Sequence, residues 1–441
     1  MAQKIGVDAT TLTKNHNGGK NQVCLNLLRG FEKIGVGGRF VIFCLPEMTD
    51  DISKLTPSAT VVTIHPGKIW KKTVTEIRIR TFILPRYLKQ YQIGALLFPD
   101  SNTGIRRYKI PTVVVPNDIQ AKTHKERFPF KARLFDSFFY HFDFKLRDRI
   151  VAMSDFDRQE IASVYPAVAK KIIKISNPIF TDYFMSAGPH KGEHEVVEQT
   201  HVSGLFKNVQ MQGAQKTESR GVYGHTLSDT ICGATQQARR ALQGMSVRVV
   251  PFRVFQQSQN PYITAVNIQH RHKNIITLIK AFEKIKDIIP HDLYLVGRMT
   301  ADSEHLVSYV HEHRLSDRII FKGFLDDTKL AEIIKGCALY VNPSLYEGFG
   351  MTCVEAMLAG APTLVSRISA IPEVTMGLCD YYEPPDDAQA LAEAIKGILL
   401  NKEKKTPAEL EIISRKIYDQ YNYIKISRQY FDLITSLMPD I

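Results

Sequence analysis

The stretch Val341 to Gly360, VNPSLYEGFGMTCVEAMLAG, puts two carboxylates, a glycine-rich turn and a helix start into one short segment. Leu339 to Val341 reads as a buried strand, closed by Asn342-Pro343-Ser344. Gly348 and Gly350 then leave the backbone free to adopt unusual dihedrals. Beyond them Val354, Met357 and Leu358 recur at helical spacing, which predicts a helix with Thr352 as its N-cap and Glu355 in its first turn. Free N–H groups at such a start attract an anion, most often phosphate. Glu347, in the loop just ahead, would face whatever is joined to that phosphate.

The strand and helix around this segment belong to a longer alternation. In the second half, Tyr262-Val266, Leu293-Val296, Ile319-Phe321, Leu339-Val341 and Thr363-Ser366 read as strands. Helices are expected near Asn274-Ile285, Glu304-His313, Thr328-Lys335, Cys353-Leu358 and Ala388-Leu399. The first half repeats the pattern with strands at Ile5-Asp8, Phe40-Leu45, Val61-Ile64, Ala95-Phe98, Thr112-Val115, Ile150-Met153 and Ile172-Ile175. Strands alternating with helices argue for α/β architecture with two doubly wound parallel sheets. Ligands of such sheets bind outside the carboxyl ends of the strands, so the loops there carry the candidates. Gly18-Gly19 precedes a helix and either brings backbone to a phosphate or makes an ordinary turn. Asp118, after Pro116-Asn117, either meets a substrate or caps a turn, and Ser154 reads as an N-cap.

At 441 residues the chain calls for two domains. We expect residues 1–185 as the first Rossmann-like domain and 260–420 as the second. Between them residues 186–259 are rich in Gln, Gly and Ser and read as a polar insertion or linker, disordered or weakly folded. Residues 421–441 form a C-terminal helix with Ile426, Tyr430, Ile434 and Leu437 on one face. That face must dock, and the first domain is the candidate surface.

Hydrophobic residues at 44% and charged residues at 23% exclude general disorder and a membrane-embedded chain. No apolar run approaches the ~20 residues of a spanning helix, and Met1-Ala2-Gln3-Lys4 runs into a strand without a signal-peptide core, so the expected location is cytoplasmic. The six cysteines show no CxxC pair and no metal-ligand spacing. A net charge of +12 attracts anions: nucleotide phosphates, an anionic membrane face or nucleic acid. No nucleic-acid-binding signature stands out. Two basic, bulky stretches, Ile69-Tyr91 and Phe128-Arg149, read either as membrane-facing helices or as core helices whose cationic heads stay in water.

With these pieces in order the chain resembles glycosyltransferase family 4, the retaining nucleotide-sugar transferases of the GT-B fold. The matches run through Tyr262-Ile263, His272-Lys273-Asn274, Phe321-Lys322-Gly323-Phe324, Pro343 to Gly350, Glu355-Ala356-Met357 and Pro372-Glu373-Val374. Ile5-Gly6-Val7-Asp8, Gly18-Gly19, Asn117-Asp118, Met153-Ser154 and Asn177-Pro178 match more loosely.

The resemblance implies two Rossmann-like domains facing a central cleft and hexosyl transfer from a UDP- or GDP-linked sugar to an acceptor hydroxyl, without metal or cofactor. Glu347 would contact donor-sugar hydroxyls, the N–H groups of Phe349, Gly350, Met351 and Thr352 would hold sugar and pyrophosphate oxygens, and Glu355 would take the ribose. Lys273 would stabilise charge gathering on the leaving diphosphate, with Arg271 as a second cation. Gly18 and Gly19 would approach the phosphates from the opposite domain, and Asp118 would sit near the sugar or acceptor. Partners would be the donor, a polysaccharide or lipid-linked glycan acceptor, and the anionic inner face of a membrane. Two positions depart from the family pattern. Asn117 stands where many members have His, and the arginine a few positions before the lysine is replaced by Val266 to His270. A non-catalytic, transferase-like subunit that binds a sugar nucleotide or supports a partner enzyme is the alternative these departures raise.

Overall fold

The computed structural model describes residues 3–14, 19–67, 72–101, 104–116, 119, 130–185, 260–266, 270–300, 303–400 and 404–439. Gly18, Asn117, Asp118 and the polar segment 186–259 lie outside the described residues.

Two parallel sheets form. The first takes β1 (Lys4–Asp8), β2 (Phe40–Cys44), β3 (Thr60–Thr63), β4 (Ile93–Phe98), β5 (Thr112–Val114), β6 (Arg149–Ala152) and β7 (Ile172–Lys174), in the order β3-β2-β1-β4-β5-β6-β7. The second takes β8 (Tyr262–Val266), β9 (Asp292–Val296), β10 (Ile319–Gly323), β11 (Leu339–Asn342), β12 (Thr363–Ser366) and β13 (Asp380–Tyr382), in the order β10-β9-β8-β11-β12-β13. Every strand expected from the sequence is present, its ends within two residues of the expected ones. β13 is the addition: a short edge strand with no β-branched run, which only its parallel pairing to β12 makes visible.

The helices that matter below are α1 (Gly19–Lys33), α2 (Lys72–Arg78), α3 (Leu84–Gln90), α4 (Asp155–Val164), α5 (Ile275–Ile285), α6 (Asp327–Gly336), α7 (Met351–Leu358), α8 (Ile371–Val374), α9 (Pro407–Tyr421) and α10 (Tyr423–Ser436). A π-helical segment, Ile79–Ile83, joins α2 to α3. No described helix is long and apolar enough to cross a membrane.

The central strands are buried on both faces, as parallel sheets require, so β2, β4 and β9 read as apolar runs rather than as alternations. One face of the first sheet packs under α1 and α10, where Ile426, Tyr430 and Ile434 join Leu27, Phe31 and Phe40. The last helix therefore docks on the first domain. Gly30 permits it: a Cβ there would lie 1.9 Å from Ser427 Oγ. A separate core joins the domains, with Met153, Ile179 and Phe184 packed among Tyr340, Phe349, Val354 and Tyr421.

In each sheet the chain reverses direction of travel beside its first strand, between β1 and β4 and between β8 and β11. At such switch points the loops leaving adjacent strands diverge to opposite faces and open a crevice. The loop after β8 leads to Lys273 and the loop after β11 carries Glu347, so the second crevice has one of them on each side.

One expectation about the basic stretches is corrected. Arg80 does not leave its head in water: it is 1% exposed, and its Nε donates to Asp8 Oδ2 at 2.7 Å. Thr10 satisfies the other oxygen, its Oγ1 donating to Asp8 Oδ1 at 2.6 Å. The π-helical turn lets the chain bury Arg80 while leaving Phe82 64% exposed.

Candidate functional site

Glu347 is held by the turn that ends β11. Asn342 Oδ1 accepts the Ser344 N–H at 3.0 Å, an Asx turn that aims the Ser344 hydroxyl at Glu347 Oε1, 2.8 Å away. The Ser344 carbonyl in turn accepts from Ser366 Oγ at the end of β12, at 2.6 Å. Neither Asn342 nor Ser344 was singled out as a functional residue from the sequence. The Asn-Pro-Ser turn chemistry was the available signal.

Lys273 comes from the other side of the crevice. Its Nζ lies 2.8 Å from Glu347 Oε1 and 2.9 Å from Oε2, so the lysine bridges both carboxylate oxygens. A 3₁₀ turn, Arg271–Lys273, brings it there, and Asn274 follows in the left-handed region at φ +55°. Asn274 Nδ2 donates to the carbonyls of Pro343 and Pro385 at 3.0 and 2.9 Å, and the Leu345 N–H donates to the His272 carbonyl at 2.8 Å. The two loops are thus tied by backbone as well as by charge. Burial by itself would raise the Glu347 carboxyl, but the ammonium of Lys273 and the bonds from Lys273 and Ser344 outweigh it and hold the group below its usual value. Arg271 is exposed at the start of the turn, and His270 and His272 stack with centroids 5.6 Å apart.

The helix start differs from expectation. Gly350, at φ +85°, is the N-cap and α7 begins at Met351, so Thr352 lies inside the helix and Glu355 reaches its second turn. A glycine able to take left-handed dihedrals starts the helix earlier than a threonine cap would. A Cβ on Gly350 would also sit 2.5 Å from Ile371 Cδ1. Phe349 turns its ring into the core, edge-on to Tyr421 at 5.4 Å, which leaves its backbone as the part available to a ligand. Glu355 is pushed up to about 7, first by burial and then by the neighbouring Asp327 of α6.

From the first domain, the N-terminus of α1 arrives opposite. A Cβ at Gly19 would lie 3.7 Å from Met351 Sδ, so the first residues of α1 and α7 meet across the cleft. Two helix N-termini, whose first-turn N–H groups point outward along the helix axis, converge beside a lysine and a buried carboxylate. This arrangement suits a diphosphate joined to a polyhydroxyl group. Glu347, Lys273, Gly19, Gly350, Met351 and Thr352 are brought together; the expected contributions of Gly18 and Asp118 lie outside the described residues.

The whole described chain superposes on two-domain sugar transferases. Sucrose-phosphate synthase from Thermosynechococcus elongatus matches with a TM-score of 0.67 at 18% identity, covering 99% of both chains. HepE of Anabaena, solved in complex with UDP-glucose, matches with a TM-score of 0.63 at 14% identity, covering 99% of this chain and 100% of that one. The fold is GT-B. Residues 251–416 match the family model described as Glycosyl transferases group 1. By sequence, the serotype-specific mannosyltransferase WbdA of Escherichia coli is 32% identical over 145 residues, 32% of this chain and 18% of that protein. The chain spans less than half the length of the curated relatives it matches.

Proposed function

We propose that the chain is a glycosyltransferase of family 4 that moves a hexosyl group, with retention of configuration and without a metal, from a UDP- or GDP-linked sugar to an acceptor hydroxyl. The observation that carries this reading is the Lys273–Glu347 pair beside the N-terminus of α7, which the start of α1 faces. Lys273 would neutralise the leaving diphosphate, the work a divalent cation does elsewhere. The helix N-termini would hold the phosphate oxygens, and Glu347 would fix the sugar hydroxyls. Closure of the two domains would keep water from competing with the acceptor. For retention, the leaving phosphate would help deprotonate the acceptor on the same face of the sugar. The similarity to WbdA makes mannosyl transfer into a surface polysaccharide or lipid-linked glycan the first case to test.

The same reading places the protein at the cytoplasmic, anionic face of a membrane. Its support is a stripe along α2, the π turn and α3, where Val74, Arg78, Phe82 and Arg86 are exposed at four-residue spacing. The exposed Ile105 and Arg106 lie alongside, Arg106 Nη1 donating to the Thr81 carbonyl at 3.1 Å. Apolar residues interleaved with cations suit a headgroup layer.

The test is incubation of the purified chain with UDP- and GDP-sugars in EDTA, following nucleotide release with glycan and lipid-linked acceptors and reading the product anomer by NMR. Release from one donor with a retained anomer is expected. No turnover of any donor, or an inverted anomer, overturns the proposal.

A further inference from the structure

Two motifs of the sequence, Met153-Ser154 and Pro372-Glu373-Val374, have no part in donor binding as described above, yet they meet. Glu373, on α8 of the second domain, accepts the backbone N–H of Asp155 at 2.8 Å and that of Phe156 at 3.1 Å. These are orphan donors of the first turn of α4, in the first domain, and the helix dipole favours a negative charge there. Lys174, at the end of β7, adds its ammonium at 2.7 Å from Glu373 Oε1 and also 2.7 Å from Asp155 Oδ2.

The residues on either side of Glu347 touch the same helix. Ser154, the N-cap of α4, accepts the Asp157 N–H at 3.0 Å and donates its hydroxyl to the Gly348 carbonyl at 3.4 Å. Tyr346 donates its phenol to Glu160 Oε2 at 2.7 Å and meets the Phe156 ring edge-on at 6.1 Å. The Ala370 N–H, one residue before α8, donates to the carbonyl of Glu347 itself at 3.5 Å. One helix of the first domain therefore clasps positions 346, 348 and 373 of the second, with Glu347 between them.

We infer that Glu373 is a positioning residue: its clasp on α4 holds the loop of Glu347 against the first domain and so sets the closure of the cleft. The inference rests on the transferase reading above. The bonds of Glu373 to Asp155, Phe156 and Lys174, of Ser154 to Gly348 and of Tyr346 to Glu160 cross from one domain to the other, so their loss loosens the domain arrangement and not the fold of either sheet. Separate domains move relative to each other unless something holds them, and charge-assisted bonds to helix N–H groups are among the stronger polar ties.

The test uses the full chain as wild type, Glu373→Ala, Glu373→Gln and Lys174→Ala. Hydrogen exchange without donor, calorimetric binding of UDP and GDP, and kcat and KM are measured. In Glu373→Ala we expect exchange of the Asp155 and Phe156 amides to rise by about tenfold or more. We expect kcat to fall by about tenfold or more while nucleoside diphosphate affinity stays within about twofold. Glu373→Gln, which keeps one acceptor oxygen, and Lys174→Ala should lie between, and they carry the test if the alanine variant does not fold. Unchanged exchange, or faster exchange with unchanged kcat, overturns the inference alone. A wild type that turns over no nucleotide sugar overturns the transferase reading and this inference with it.

Discussion

Lys273 Nζ bridges both carboxylate oxygens of Glu347, and the pair is partly buried at the switch point of the second sheet. A buried ion pair is expensive to break from one side. Lys273→Ala leaves an uncompensated carboxylate and should destabilise the chain by about 3–5 kcal/mol, whereas Lys273→Met combined with Glu347→Gln should cost much less. Urea unfolding measures both. Sugar transfer should be lost in the single and the double variants alike, which separates the stability role of the pair from its chemical role.

Glu355 makes stability fall as pH rises. Its carboxyl moves from the usual 4.5 to about 7 on folding, so between those values the native state holds a proton that the unfolded chain has released. Stability contributed by the neutral form is full below about pH 4.5 and is lost as pH climbs through 7, at no more than about 1.4 kcal/mol per pH unit. Glu355→Gln should flatten this slope in chemical unfolding followed from pH 5 to 8. If the ionised carboxylate binds the ribose, nucleotide affinity should rise through pH 7 in the wild type and stay flat in the variant. Glu347 works in the opposite sense: its stabilisation is present above about 4.5 and disappears as pH falls through its lowered value.

Gly350→Ala should disturb the start of α7. The residue sits at φ +85° and an added Cβ would meet Ile371 Cδ1 at 2.5 Å, so strain and overpacking add. A loss of about 2–4 kcal/mol in thermal unfolding is expected. Transfer should fall further than stability, because the displaced N–H groups are those proposed for the phosphates. An alanine variant as stable and as active as wild type would remove this account of the turn.

Vesicle co-sedimentation tests the stripe on α2 and α3. Binding to phosphatidylglycerol vesicles and not to phosphatidylcholine is expected, at about 1 kcal/mol per cation near the surface. Arg78→Glu with Arg86→Glu should abolish it, and Phe82→Ser should weaken it, with unfolding temperatures unchanged because these side chains are exposed. Equal binding by the charge-reversed protein would end the membrane reading.

Much of this was legible beforehand, and the reason is local. Strands buried on both faces must be apolar along their length, so β2, β4 and β9 announce themselves, and their alternation with helices specifies parallel sheets. Edge strand β13 lacks that signature and was missed. The helix at Met351 was found but entered two residues late, since a threonine cap and a left-handed glycine cap look equally good in one dimension. The basic stretch at Ile69-Tyr91 had two readings, and neither placed Arg80 beside Asp8, seventy-two residues away.

By itself the sequence determined the order of strands and helices, the loops that follow the strands, and the presence of Glu347, Lys273 and a glycine-led helix among them. Periodicity and turn chemistry act over a few residues, and that is their reach. Only the tertiary structure decided that Lys273 meets Glu347 across the crevice, that Gly19 faces Met351, and that Glu373 caps a helix of the other domain. Each of those contacts joins segments separated by at least seventy residues: the strand order of the second sheet makes the loops of Lys273 and Glu347 neighbours, and the packing of one domain on the other makes the remaining two, neither of which depends on distance along the chain.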